Sequence, residues 1–141
     1  MSVAASVVIP AEPAEVWQIW SDMEAWPQWS PVYLQVALDG ALAVGTRAEM
    51  QMRHPRGRAY WTRPWLTEVI PERELSWTAK GMGLRARTLT TLEAVPSGTK
   101  LRIRGETTGV MAFAYRIAMT RKVQAKIFLE TLDAFAEEMR P

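Results

Sequence analysis

The sequence predicts an α+β domain in which a curved antiparallel sheet of about seven strands wraps around a long C-terminal helix, with two short helices after the first strand. Three patterns lead there. Between residues 32 and 104, apolar side chains recur at every second position in runs separated by turn residues. From about residue 110 to 139 the spacing becomes three and four, as on one face of a helix. Four of the seven tryptophans fall within residues 17–29, in a stretch too short and too proline-broken for anything but small helices.

Residues 3–9 are rich in β-branched side chains and stop at Pro10, which predicts the first strand. Pro13 stands near the start of a helix, in the first turn, which needs no N–H; Val16, Trp17 and Trp20 then share one face, with Ile19 at its margin. Asp22 is placed to N-cap a second, very short helix that must stop before Pro27. Val32, Leu34, Val36 and Leu38 next oppose Gln35 and Asp39, and the run ends at the turn Asp39-Gly40. After Gly45 the alternation returns, with Ala48, Met50, Met52 and His54 opposite Arg47, Glu49, Gln51 and Arg53.

Residues 53–58, RHPRGR, read as a basic loop. Pro64 cannot donate to a ladder, so pairing should resume at Trp65, run to Ile70 and break at Pro71. Leu75, Trp77 and Ala79 share one side of the following strand. Residues 81–83 form a turn, residues 84–95 a threonine-rich strand, and Pro96-Ser97-Gly98 a further turn. Lys100, Arg102 and Arg104 then alternate with Leu101 and Ile103, one wet face against one dry. A continuous helix over the remaining 110–139 would be ~45 Å long at ~1.5 Å per residue, enough to cross the whole sheet.

Length and composition narrow the function. The 141 residues suit one domain, 1–141, with a true core. There is no cysteine and only one histidine, which removes disulfides and thiol chemistry and leaves a zinc site without ligands, so neither metal nor cofactor is expected. A net charge of +2 is far from the basic footprint of a nucleic-acid binder. No apolar run approaches a membrane span and no signal peptide is apparent, so a cytoplasmic protein is expected. The stretch 81–86 matches G-x-G-x-x-A, but a strand follows it, whereas a dinucleotide site needs a helix N-terminus there.

The motifs V-I-P-A-x-P-A-E-V-W at 8–17, S-D-M-E-x-W-P-x-W-S-P at 21–31, L-T-E-V-x-P-x-R-x-L-S-W at 66–77 and L-E-x-x-P-S-G-T at 92–99 resemble the helix-grip superfamily. That group, also called SRPBCC, includes START lipid-binding domains, pathogenesis-related plant allergens and polyketide cyclase/dehydrase proteins. The resemblance implies a hydrophobic ligand held between the long helix and the sheet. On that basis Met50, Met52, Trp65, Trp77, Tyr115 and Met119 are the expected lining of a cavity for a small hydrophobic or aromatic molecule. Trp17, Trp26 and Trp29 read as packing at the helix–sheet joint, and Trp20 as a residue near the cavity mouth.

A polyketide cyclase or aromatase using the same cavity is the enzymatic alternative, with His54, Arg63 or Tyr115 moving protons. Tyr60 and Glu68 are further polar groups within possible reach. A co-chaperone-like module binding a partner through its sheet face or loops is the third reading, and the oligomeric state stays open.

Overall fold

The computed structural model describes residues 2–140, built in the order β1 (Ser2–Ile9), α1 (Pro13–Trp20), a 3-10 helix (Met23–Gln28), β2 (Tyr33–Leu38), β3 (Ala48–Arg53), β4 (Ala59–Thr62), β5 (Trp65–Ile70), β6 (Glu74–Gly81), β7 (Leu84–Val95), β8 (Gly98–Thr108), α2 (Ala112–Ala118) and α3 (Arg121–Glu138). Every strand pairing is antiparallel, in the orders β1-β8-β7-β6-β5 and β2-β3-β4.

Pro64 explains the division into two sheets. It interrupts the chain between β4 and β5, and the strand on each side joins a different ladder. The seam is closed by the bridge between Arg47 and Trp65 and by the Ala48 N–H, which donates to the Pro64 carbonyl at 2.8 Å. The two ladders therefore form one bent surface, and α3 lies in its hollow against β1 and β8. This is the helix-grip arrangement that the sequence predicts, with eight strands among the described residues rather than about seven.

The predicted single C-terminal helix is divided. Met119 leaves helical geometry at φ −126° and ψ 76°, and Thr120 then caps α3 by accepting the Val123 N–H at 3.2 Å. Periodicity alone missed the break because the apolar spacing continues on both sides of it. The short second helix also departs from expectation. Pro27 lies inside it, since a 3-10 turn accepts proline's fixed φ. Asp22 serves it through its carbonyl, which accepts the Ala25 N–H at 3.1 Å, and makes no side-chain cap.

The tryptophan-rich stretch builds the core at one end of α3. Trp20 and Trp26 are fully buried with ring centroids 4.7 Å apart, and Phe135 of α3 meets Trp20 edge-on at 5.2 Å. Trp26 continues the cluster to Tyr33 at 4.8 Å and to Trp77 at 5.7 Å. Trp20 is thus a core residue rather than a neighbour of the cavity mouth, its indole N–H donating to Thr90 Oγ1 at 2.9 Å. Truncating so large a buried ring typically costs ~3–5 kcal/mol.

Candidate functional site

The aromatic core does not fill the hollow completely. Beyond Trp77 and Tyr33 a cavity of about 110 Å³ remains between the bent sheet and the two C-terminal helices. Its sheet wall consists of Tyr33, Met52, Tyr60, Thr62, Trp77, Ala79, Ala86 and Thr88; Tyr115, Met119, Gln124, Ile127 and Phe128 close it from the helical side. A local reason for the space is visible in the register. Ala79 of β6 pairs directly with Ala86 of β7, so two methyl groups stand where the next pair on the same face, Trp77 and Thr88, brings an indole. Gly105 of β8 lies behind the other wall: a Cβ there would lie 2.8 Å from the Phe128 ring, so that ring packs directly on the β8 backbone.

All three tyrosines of the sequence line this one cavity. Burial, with a smaller contribution from the neighbouring Tyr115 phenol, pushes Tyr60 up to about 12. Tyr33 is raised further, again by burial first and then by Tyr60, and burial raises Tyr115. The phenols therefore stay protonated at physiological pH and act as hydrogen-bond donors, not as bases. Gln124 is buried and donates from Nε2 to the Met119 carbonyl at 3.0 Å, which ties the start of α3 to the helix break. Among the described residues, no carboxylate lines the cavity.

Tyr60, Tyr115 and Met119 also form the inner wall of a wider, open vestibule of about 450 Å³, whose outer wall is His54, Arg56, Arg58 and Ala118. These three shared residues are the constriction between cavity and surface.

Of the residues that the sequence singles out, the structure brings Met52, Trp77, Tyr115 and Met119 together around the cavity. Met50 is completely buried in the core and does not reach it. Trp65 stands at the seam of the two ladders, with the Arg47 guanidinium 3.8 Å from its ring centroid, again away from the cavity. His54 lies in the vestibule. Arg63 is at the surface, its Nε 3.6 Å from Glu49, and Glu68 is exposed on β5.

Sequence reasoning missed Tyr33, because an irregularity between Tyr33 and Gln35 shifts the β2 register and brings Tyr33 inward beside Val32. It also passed over Ala79 and Ala86, whose contribution is the volume they leave empty, and Gly105, on which the Phe128 ring packs. The pairing of two small residues across a hairpin was the available signal. Among the described residues, no group of three or more His, Cys, Asp or Glu side chains gathers to hold a metal ion, and no helix is long and apolar enough to cross a membrane.

Comparison with known proteins agrees with this geometry. The di-domain ARO/CYC BexL superposes with a TM-score of 0.79 at 18% identity, over 100% of this chain and 51% of that one. A protein from Thermus thermophilus gives 0.79 at 15% identity, over 99% of this chain and 97% of its own. One from Chromobacterium violaceum gives 0.77 at 18% identity, over 99% and 97%. At such identities the likeness establishes a shared fold. No curated protein matches the chain. Across residues 1–140 the sequence matches the family described as polyketide cyclase / dehydrase and lipid transport, and the chain belongs to that family.

Proposed function

We propose that the protein binds a small hydrophobic or aromatic molecule in the cavity between the bent sheet and the helices α2 and α3. The observation that carries this reading is a partly open, mostly apolar space of about 110 Å³, lined by Met52, Trp77, Met119, Ile127 and Phe128 and edged by phenols. Cavities of about 150 Å³ hold a benzene-sized guest, so a space of about 110 Å³ takes a short acyl chain as it stands and a single ring once its flexible methionine walls give way slightly. A multi-ring or two-chain ligand needs α2 to move. Methionine side chains at two sides adapt the wall to guests of differing outline.

A second reading, cyclisation of a polyketide-like chain, draws on the same cavity. Tyr60 and Tyr115, held neutral, can donate to and polarise a ligand carbonyl, and the family description includes cyclases. Proton abstraction has weaker support, since neither His54 nor Arg63 lines the inner cavity.

The two readings separate in one experiment. Protein purified under mild conditions and examined by native mass spectrometry should carry an extractable apolar molecule. Ala86→Leu, which fills the floor of the cavity, should abolish that mass increment and leave thermal stability within ~1 kcal/mol. Retention of the same molecule by Ala86→Leu overturns the site. Recovery of a chemically altered molecule after incubation favours the cyclase.

A further inference from the structure

We infer that the vestibule is an anion subsite, and that the ligand is accordingly an amphiphile, with one ring or short chain in the cavity and a single carboxylate held outside by Arg56 and Arg58. This rests on the cavity reading above and narrows its ligand class.

The loop that carries the two arginines is fixed by its own backbone. The His54 N–H donates to the Arg58 carbonyl at 2.7 Å, and the Gly57 N–H donates to the His54 carbonyl at 2.7 Å. Gly57 adopts φ 93°, a conformation that residues with side chains resist, so the turn is specific to this glycine. The Arg56 N–H donates to His54 Nδ1 at 3.2 Å. With Nδ1 accepting, the neutral ring carries its proton on Nε2, which adds a donor to the same wall. A hairpin so closed holds the backbone of Arg56 and Arg58 beside the constriction.

Among the described residues, neither Arg56 nor Arg58 has a carboxylate within 4.0 Å; they share this with most of the arginines, and only Arg63, Arg87, Arg104 and Arg140 are so paired. No acidic side chain lines the vestibule. The sequence has no Asp or Glu from 51 to 67, or from 107 to 129, the two stretches that supply all the vestibule's residues. The cations of the second stretch do not line the vestibule: Arg116 donates to the Thr107 carbonyl, Arg121 to the Ser2 carbonyl, and Lys126 lies 4.0 Å from Glu130. The positive charge of the vestibule is therefore that of Arg56 and Arg58, and guanidinium groups pair with carboxylates in a two-point geometry. Because Tyr60, Tyr115 and Met119 are shared walls, the bound carboxylate and the buried apolar group lie on opposite sides of one constriction.

The test compares phenylbutyrate with phenylbutanol, matched in shape and differing in charge, by isothermal titration calorimetry. Wild-type protein should bind the acid about five- to tenfold more tightly than the alcohol at low salt, with the difference shrinking as sodium chloride is raised. The doubly substituted Arg56→Ala, Arg58→Ala protein should bind both as wild type binds the alcohol. Both arginines are exposed, so the substitution leaves the core untouched. Equal affinities for the two compounds in wild type, or an acid preference that survives the double substitution, overturn the anion subsite while leaving the cavity reading intact. Binding of neither compound by wild type overturns both.

Discussion

Thr90 joins two parts of the molecule through a single oxygen. Its hydroxyl accepts the Trp20 indole N–H at 2.9 Å and donates to the Leu75 carbonyl, so α1 is pinned to β6 and β7 at a fully buried point. Thr90→Val keeps the shape but strands the indole N–H, and should cost ~1–3 kcal/mol in urea denaturation, with Thr90→Ser recovering most of it. The tyrosines make a second prediction. An unfolded chain releases phenolic protons near pH 10, whereas folded Tyr60 holds its proton up to about 12. Between those values the folded state binds more protons than the unfolded one, so stability is complete below about pH 10 and falls as pH rises toward 12. Urea midpoints measured across that interval should decline, and Tyr60→Phe should flatten the decline. Tyr115 contributes with the same sign, since burial raises it too.

The division between α2 and α3 places side chains at the constriction. Tyr115 comes from α2 and Met119 from the break itself, so both sit over the cavity only because the helix ends and restarts there. Thr120→Ala removes the cap of α3 and should lower stability by ~1 kcal/mol while loosening this corner, seen as faster amide exchange at Val123 and Gln124. On the opposite wall, the seam between α3 and β8 depends on Gly105. In Gly105→Ala the new methyl group meets the Phe128 ring at 2.8 Å and Gln124 Oε1 at 3.4 Å. Both of those side chains line the cavity. The substitution should therefore weaken binding of small aromatic probes severalfold by fluorescence titration, with only a modest loss of stability, because a ring edge can turn aside where backbone cannot. The elements legible in the sequence were those whose pattern is local: the threonine-rich β7 coincides with the predicted 84–95, and Leu101 and Ile103 are buried opposite exposed Arg102 and Arg104. The helix break was not legible, since apolar residues recur at helical spacing on both sides of it, although Phe113 and Ile117 before it are exposed and Ile127, Leu132 and Phe135 after it are buried.

Across the whole molecule, the bent sheet and the aromatic plug divide the interior into a solid end and a hollow one. The tryptophans at 17–29 serve the solid end, with Trp26 reaching Trp77 at the boundary. Which strand residues face the hollow depends on how two ladders meet around Pro64, a long-range fact that alternation within one strand cannot express. Hence Met52 and Trp77 were legible from their phase, while Met50 is absorbed by the core and Trp65 by the seam. The unfilled space and the small residues that leave it define what the protein can hold. Nuclear magnetic resonance of methionine methyl groups during titration with toluene reads that space directly, because the methionines at positions 23 to 139 are spread between both ends and the surface. Saturable shifts of Met52 and Met119, with exposed Met82 and core Met50 unmoved, are the expected result. Unshifted Met52 and Met119, or shifts confined to Met82 and Met111 at the surface, would contradict a ligand-holding cavity.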